Sequence, residues 1–247
     1  MFDIWNYQWE CCMEGGRIIH PNFPYIWYDD MMVERHPLYP DTAIIRLMQC
    51  TRYINYWDGK LYTPSMAGGV LRSVQTFGYG TFSAEIKMPQ GKGLWGSFWL
   101  CGDGPWPQSG EIDICEGYSD NNYFRLTTPY FPWLNPSWKT TNNIHYAENG
   151  EHKQVKPHSV SVFKQPCKPT SGYVKYECKW TPSEIVIKVG GKLIRRDKAA
   201  LKHFTPTNGR MRVIFNLWCE DPENNPVIMQ TPMLIKNFNY EPYEHTI

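Results

Sequence analysis

The sequence lacks any dense run of charge, and that absence excludes two classes of partner. Among 247 residues the formal net charge is +1 at pH 7, and only 20% of the residues are charged. Chains that bind nucleic acid or an anionic membrane surface usually carry a basic patch or stripe. We therefore expect no nucleic acid partner and no membrane partner.

These 247 residues show no pattern typical of a targeting or membrane-anchoring segment. No apolar run approaches the ~18 residues needed to cross a bilayer. The segment Met1–Gly16 lacks the basic start and apolar core of a signal peptide, so we expect that a signal was removed or never existed. Asn135 lies in Asn-Pro-Ser, where the proline blocks N-glycosylation.

Patterns typical of metal sites and disulfides are scarce as well. The seven histidines show no His-Glu-x-x-His motif, and the eight cysteines show no Cys-x-x-Cys spacing. We expect no catalytic metal and no required cofactor, and we leave open a structural Ca²⁺ between loops. The cysteines are expected to be free buried thiols: Cys11, Cys12, Cys50, Cys101, Cys115, Cys167, Cys178 and Cys219.

What the sequence does have is aromatic residues in alternating patterns. Aromatic residues make up 15% of the chain, with eleven Trp and sixteen Tyr. Period-two alternation recurs, and no window gives a sustained 3.6-residue apolar repeat, which predicts an all-β chain with two stacked sheets. Strands are predicted at 43–49, 70–76, 80–88, 94–101, 110–116, 159–164, 172–180, 184–189, 192–196, 210–218 and 233–241.

Turn and loop residues divide the chain further. Gly190-Gly191, between two alternating runs, predicts a two-residue hairpin. The first forty residues and residues 127–143 are rich in proline and aromatics without alternation, which predicts long loops. No repeat, low-complexity tract or charge block marks a second domain, so we expect residues 1–247 to form a single domain.

Three carboxylates lie within the predicted strand Gly110–Gly117, GEIDICEG. Residues two apart share a face of a strand, so Glu111 and Asp113 project one way and the two isoleucines project the other. Strict alternation would bury Glu116 among the isoleucines, where a lone carboxylate is costly. A one-residue β-bulge near Ile114-Cys115 would return Glu116 to the acidic face.

This spacing suits the hydrolysis of a glycosidic bond. With the bulge, the Cα atoms of Glu111 and Glu116 lie ~13 Å apart, and leaning side chains could bring their carboxyl groups to about 5–6 Å. Retaining glycosidases need about 5–5.5 Å. Asp113 between them could orient one glutamate and raise the pKa of the other. A calcium site or a solvated acidic edge strand would explain the same residues, although the buried isoleucines favour a central strand.

The stretch from Tyr79 to Asp120 resembles the core of glycoside hydrolase family 16, the laminarinase, lichenase, agarase and κ-carrageenase group. The shared pattern is a Tyr-Gly strand start, Gly-Lys-Gly-Leu-Trp, Phe-Trp, Trp-Pro and then Glu-x-Asp-x-x-Glu. Weaker similarity extends over residues 68–218. Cys115 stands where family members commonly have Met, and Lys179 stands where they commonly have Glu.

The resemblance implies a β-jelly-roll sandwich of two curved antiparallel sheets with a concave substrate cleft. It also implies an endo-acting, retaining mechanism, with Glu111 as nucleophile, Asp113 as its supporting carboxylate and Glu116 as acid/base. Two residues between Asp113 and Glu116 are similar to the bulged form of laminarinases and marine galactanases.

Aromatic and polar residues near the carboxylates are candidate substrate contacts. Trp95 and Trp99 share a strand face with a small serine between them, and Trp106 lies just before the carboxylate strand. We predict that these three rings stack on sugar, although ordinary core packing would also explain the first two. The weaker candidates are Trp133, Trp138 and Trp218.

Two polar side chains complete the predicted cleft. His145 is similar to the family's histidine and could hydrogen-bond sugar or Asp113, whereas a structurally satisfied histidine is the alternative. Asn216 alternates to the face opposite Phe215 and could read a sugar hydroxyl, or it could simply make a hydrogen bond at a strand end.

Together these features predict a retaining endo-β-glycan hydrolase. It would cleave internal β-1,3- or β-1,4-linkages of laminarin, mixed-linkage glucan or a marine-type galactan. The alternatives are a non-catalytic carbohydrate-recognition protein on the same scaffold and a transglycosylase. Because such polysaccharides lie outside cells, we expect an extracellular or cell-surface protein, and we expect it to be a monomer.

Overall fold

A computed structural model describes residues 2–11, 25–55, 58–89, 94–118, 138–155, 160–162, 171–198, 201, 209–219 and 232–244. These residues form twenty-one β-strands, numbered here in chain order, and a 3₁₀ turn at Asp30–Met32. The predicted all-β class is confirmed. No helix in the described part of the chain is long and apolar enough to cross a membrane.

Nine strands form the larger sheet, whose neighbours in the described residues all pair antiparallel. Its order is β1 (Phe2–Ile4), β2 (Tyr7–Glu10), β10 (Val70–Ser73), β20 (Met211–Cys219), β12 (Leu94–Gly102), β13 (Glu111–Tyr118), β14 (Trp138–Glu148) and β15 (Glu151–Val155), and β16 (Val160–Val162) also pairs with β14. The carboxylate strand β13 is therefore a central strand, as predicted, and not an edge.

Seven strands form the second antiparallel sheet. Its order is β19 (Lys192–Asp197), β18 (Ile185–Val189), β17 (Val174–Trp180), β11 (Gly80–Lys87), β21 (Met233–Pro242), β5 (Thr42–Ile45) and β4 (Val33–Arg35). Gly190 and Gly191 both have positive φ and connect β18 to β19. This confirms the predicted two-residue hairpin.

The core lies between the two sheets and is built by alternation along each strand. Phe98 and Phe215, on neighbouring strands of the larger sheet, stack at 4.5 Å between ring centroids and are fully buried. From the second sheet, Phe82, Tyr176 and Trp180 are buried in the same cluster. The opposite face of the larger sheet, called here the cleft face, carries the polar residues of the site.

Two smaller sheets were not predicted. One contains β3 (Ile26–Tyr28), β9 (Met66–Gly68) and β6 (Leu47–Gln49), in which β3 and β9 are parallel, and the other contains β7 (Ile54–Asn55) and β8 (Leu61–Tyr62). The predicted strand 43–49 is wrong as one element, because the chain changes sheet at Arg46.

The two predicted long loops were partly wrong. The first forty residues contribute four short strands, and β14 begins at Trp138, inside the segment expected to be a loop. These strands are short or lie beside aromatic and polar residues without alternation, so period two could not reveal them. The earlier part of that second loop, 127–137, lies outside the described residues.

The described cysteines are free thiols, as predicted: Cys11, Cys50, Cys101, Cys115, Cys178 and Cys219. Three of them are fully buried, and the others are partly buried. Cys12 and Cys167 lie outside the described residues.

Candidate active site

The carboxylate strand β13 contains the predicted bulge. On one side, Asp113 pairs with Trp99 and Cys115 pairs with Phe98, so Ile114 has no partner in the β12 register. The register toward β14 also shifts between Asp113 and Glu116. Ile114 and Cys115 are consecutive yet both fully buried in the core. The extra residue returns Glu116 to the face that carries the other two acids.

The three acids have different surroundings. Asp113 is only 3% exposed, whereas Glu111 and Glu116 are partly exposed at either end of the row. The Nε1–H of Trp106 donates to Glu111 Oε2 over 2.9 Å. His145 Nε2 lies 3.2 Å from Asp113 Oδ2 and 3.9 Å from Glu111 Oε1. One histidine therefore contacts two of the three acids.

Burial makes all three acids harder to ionise. It raises the pKa of Glu111 to about 8, with a further increase from the charge of Asp113. It raises the pKa of Glu116 to about 7, to which the charge of Glu111 also contributes. Burial and then the charge of Glu116 raise the pKa of Asp113 well above its ordinary range. Like charges this close cannot all ionise near neutral pH.

The tryptophans of β12 are held by partners on β20. Trp95 stacks on Trp218 with 5.0 Å between ring centroids, and its indole acts to lower the pKa of Glu116. Trp99 Nε1–H donates to Asn216 Oδ1 over 2.7 Å. Asn216 is 6% exposed, so its amide fixes the indole of Trp99 at the floor of the cleft face.

The structure brings together every predicted site residue. Strand register places Ser97 between Glu116 and Asn216, while His145 lies opposite Glu111. Trp106 reaches the same place from the loop between β12 and β13 and is 49% exposed. Of the weaker candidates, Trp218 lies beside Trp95, whereas Trp133 and the side chain of Trp138 lie outside the described residues.

Three polar residues of the site were missed. Asn143 Nδ2 lies 2.9 Å from His145 Nε2, and it donates to Gln154 Oε1 over 3.0 Å. His152 Nε2 lies 2.8 Å from His145 Nδ1, and the two imidazoles are nearly coplanar, with ring centroids 5.1 Å apart and an interplanar angle of 13°. The sequence did contain a signal for this hairpin, Asn149-Gly150, since Asn-Gly between two strands favours a type I′ turn.

The cluster also meets the spacing of a cation site. Ligand atoms of Glu111, Asp113 and His145 all lie within 4.8 Å of one another. However, His145 Nε2 already faces the N–H₂ group of Asn143, a donor that a cation would have to displace. The donor set thus fits proton exchange better than metal binding, and the expected absence of a metal stays a prediction.

Comparison with known proteins decides the family. The model of the family described as Glycosyl hydrolases family 16 matches residues 43–231, which is most of the chain and includes the whole carboxylate strand. The chain belongs to glycosyl hydrolase family 16. The resemblance inferred from Glu-x-Asp-x-x-Glu and its flanks is confirmed.

Two curated relatives come from Rhizobium meliloti. The endo-1,3-1,4-beta-glycanase ExsH is 25% identical over 194 residues, covering 74% of this chain and 36% of its own length. The endo-1,3-1,4-beta-glycanase EglC is 29% identical over 130 residues, covering 52% of this chain and 23% of its own length. The chain thus spans about a third or less of the length of these relatives.

Solved structures share the fold. LamAcat from Zobellia galactanivorans superposes with a TM-score of 0.66 over 93% of this chain and 88% of its own, at 17% identity. The family 16 enzyme from the mixed-linkage glucan locus of Bacteroides ovatus gives 0.64 over 97% and 98%, at 19% identity. The predicted β-jelly-roll sandwich is confirmed.

Proposed function

We propose that this family 16 protein is a retaining endo-β-glycan hydrolase. It cleaves internal β-1,3- or β-1,4-linkages of a polysaccharide, with laminarin or mixed-linkage glucan as the favoured substrate. The observation that carries the proposal is the bulge at Ile114, which gathers Glu111, Asp113 and Glu116 on one face of a central strand. A purely structural strand would gain nothing from one buried acid between two partly buried ones.

The reaction has two steps. Glu111 attacks the anomeric carbon while Glu116 gives its proton to the leaving glycosidic oxygen, which forms a glycosyl ester on Glu111. The ester removes the charge of Glu111, and that charge is one of the causes that raise the pKa of Glu116. Glu116 is then the stronger acid, so it stays ionised and accepts a proton from the water that hydrolyses the ester.

The first step requires a particular placement of one proton. Glu111 must be ionised and Glu116 protonated, but the pKa of Glu111, about 8, is the higher of the two, against about 7 for Glu116. Both pKa values are raised by burial and by the charges of neighbouring acids, so the two glutamates compete for one proton and the reactive arrangement is only a fraction of the singly ionised protein. Groups that keep Asp113 neutral enlarge this fraction, because the charge of Asp113 raises the pKa of Glu111.

Aromatic rings along the cleft face supply the substrate contacts. Trp106 is half-exposed beside Glu111, and Trp99 and Trp95 lie on the neighbouring strand. Sugar rings present C–H faces that pack on such indoles. The names of ExsH and EglC, which are endo-1,3-1,4-beta-glycanases, support a substrate with β-1,3- or β-1,4-linkages. Because polysaccharides lie outside cells, the proposed location is extracellular or on the cell surface. The proposed form is a monomer with a single domain.

The test is hydrolysis of a polymer panel by the wild-type protein and by Glu111→Gln. Laminarin, lichenan, agarose, porphyran and κ-carrageenan are incubated with each protein, and new reducing ends are measured. We expect activity on laminarin or lichenan that falls by at least about 10³-fold in the variant, because the nucleophile is lost. Lys153→Ala, a change at a partly exposed position of β15, is the control and should keep full activity.

Two outcomes would contradict the proposal. Binding to a polymer in affinity electrophoresis, without hydrolysis, would indicate the carbohydrate-recognition protein. Full activity in Glu111→Gln would place the nucleophile elsewhere. Product length separates hydrolysis from transglycosylation, since only the latter forms chains longer than the substrate.

A further inference from the structure

Strand β15 brings two polar side chains against His145. In the β14–β15 register His145 pairs with Gln154, and His152 is the diagonal neighbour on the same face. His152 Nε2 lies 2.8 Å from His145 Nδ1. The Trp106 ring packs over His152 at 4.5 Å between centroids. Both nitrogens of His145 therefore have protein partners.

The direction of the Asn143 amide is fixed by its other contacts. Its Oδ1 accepts from the backbone N–H of Ile144 over 2.9 Å, and its Nδ2 donates to Gln154 Oε1 over 3.0 Å. Turning the amide over would place the two side-chain oxygens against each other and leave the Ile144 N–H facing an N–H₂ group. Asn143 Nδ2 is therefore also the group that faces His145 Nε2, over 2.9 Å.

This orientation determines where the proton of His145 lies. Because Asn143 Nδ2 is a donor, Nε2 of His145 must offer its lone pair, and the ring proton lies on Nδ1. Nδ1–H then donates to His152 Nε2, which accepts. The lone pair of Nε2 also faces Asp113 Oδ2 at 3.2 Å, a contact that is favourable only when Asp113 carries a proton.

We propose that His152 is a positioning residue that holds His145 as the Nδ1–H tautomer, so that Asp113 is kept as the neutral acid beside an ionised Glu111. Asn143 and Gln154 support the same tautomer from the other nitrogen. The inference deepens the proposed function, on which it rests for its kinetic consequences. The hydrogen-bond pattern itself is independent of substrate.

The effect on catalysis follows from the charges around the pair. With Asp113 neutral, one cause of the raised pKa of Glu111 is removed, so more of the protein carries the charge on the nucleophile. Loss of His152 leaves Nδ1–H without its acceptor and removes one of the two contacts that favour this tautomer. The Nε2–H form, which donates to Asp113 and favours the Asp113 anion, then gains population. That anion raises the pKa of Glu111 and shrinks the reactive fraction.

Other ionisable groups face this cluster and do not change between the variants. Glu116 acts on Asp113 from the same strand, and Cys101 lies opposite Glu111 on β12. Buried Arg195, on β19 of the second sheet, favours the Asp113 anion from below. His152 has a lowered pKa because of burial and the neighbouring His145, so it is a neutral acceptor at pH 7.

The direct test is the tautomer of His145, read by long-range ¹H–¹⁵N NMR at pH 7 and assigned by comparison with His145→Gln. We expect a protonated Nδ1 and an unprotonated Nε2 in the wild-type protein. In His152→Phe, which keeps a ring but has no acceptor, we expect the Nε2–H tautomer to appear. A wild-type Nε2–H tautomer or an imidazolium at pH 7 would overturn the inference.

Kinetics provide the second test, with three variants. In His152→Phe we expect the optimal kcat to fall about tenfold, with KM within about twofold, and the basic limb of kcat/KM to move up by about one pH unit. His152→Gln, which places an acceptor at similar reach, should restore both. Lys153→Ala, the neighbour on the same strand, should change neither.

The outcomes separate this inference from the proposed function. A wild-type protein without hydrolytic activity but with the Nδ1–H tautomer would contradict the hydrolase and leave the tautomer assignment supported. An active protein whose pH profile is the same in His152→Phe would contradict the positioning role alone. A KM increase at unchanged kcat would assign His152 to sugar contact instead, which also contradicts it.

Discussion

Glu111 and Glu116 have the same side chain, and their neighbours distinguish them. Glu111 accepts from Trp106 and lies near His145, while the indole of Trp95 acts on Glu116 and lowers its pKa. Trp106 stands on the loop before β13, and Trp95 stands on β12. The two glutamates are thus held from different elements, which allows one to attack and the other to transfer a proton.

Removing Glu116 separates these two roles. We expect Glu116→Ala to lose about 10²–10⁴-fold in kcat on polymer, because the leaving oxygen is no longer protonated. Added azide should restore turnover on an aryl β-glycoside with an activated leaving group, since azide needs no general base to attack the glycosyl ester. The measurement is the product configuration by NMR, with a β-glycosyl azide expected.

The matched variant is Glu111→Ala. Azide entering the space of the lost nucleophile attacks the sugar directly and gives the α-glycosyl azide. The two variants should therefore give products of opposite configuration. The same configuration from both, or no azide product from Glu116→Ala, would be inconsistent with the assigned roles.

At the scale of residues, the sequence predicts the placement of the three acids. It does not predict the hydrogen bonds between the residues that surround them. The cost of burying a lone Glu116 predicted the bulge, and the structure confirms it. Alternation also placed Trp99 and Asn216 on the cleft face, but it could not predict that they bond each other. That contact joins residues 117 positions apart and depends on strand order, which period two does not contain.

At the scale of elements, the turn residues indicate which neighbouring strands pair as hairpins. The alternating runs do not indicate the order of the strands in a sheet. Gly190-Gly191 was identified as a hairpin, whereas Asn149-Gly150 was overlooked because β14 lay in a segment expected to be a loop. Both turns have positive φ at both positions. The overlooked turn is the one that brings His152 and Gln154 to the site.

The two hairpins allow a controlled test. Gly150 has φ +81° and Gly191 has φ +80°, and an added Cβ would meet no atom within 4 Å at either position. Gly150→Ala and Gly191→Ala should therefore both lose about 1 kcal/mol of unfolding free energy, from backbone strain alone. Urea denaturation measures this loss.

Only one of the two turns supports the site. Gly150→Ala loosens the hairpin that carries His152, so we expect lower kcat and a displaced pH profile. Gly191→Ala changes a hairpin of the other sheet and should keep wild-type kinetics. Equal kinetic effects from both variants would mean that the loss follows general stability and not the β14–β15 hairpin.

On the scale of the whole molecule, the site lowers stability for the sake of function. A carboxyl group whose pKa is raised by folding binds its proton more tightly in the folded state than in the unfolded chain. Near pH 4 both states are protonated and the group costs nothing. As pH rises through the unfolded value, the unfolded chain ionises first and the folded state loses relative stability. The loss stops when the folded group has ionised as well.

For Glu111 this window runs from its ordinary value of 4.5 to about 8. We expect the unfolding free energy of the wild-type protein to fall across this range and to level off above it. Glu111→Gln removes the titration, so the variant should match the wild type near pH 4. At pH 8.5 it should be more stable by on the order of 2–3 kcal/mol, after a discount for residual solvent exposure.

Urea denaturation at half-unit steps from pH 4 to 9 measures both proteins. Glu151→Gln, at the exposed first residue of β15, provides the control, because Glu151 is paired with Lys153 and its pKa is lowered. That change should bring no gain at high pH. Parallel curves for the wild type and Glu111→Gln would show that Glu111 is not held as a buried acid, and the protonation argument for the site would then fail with it.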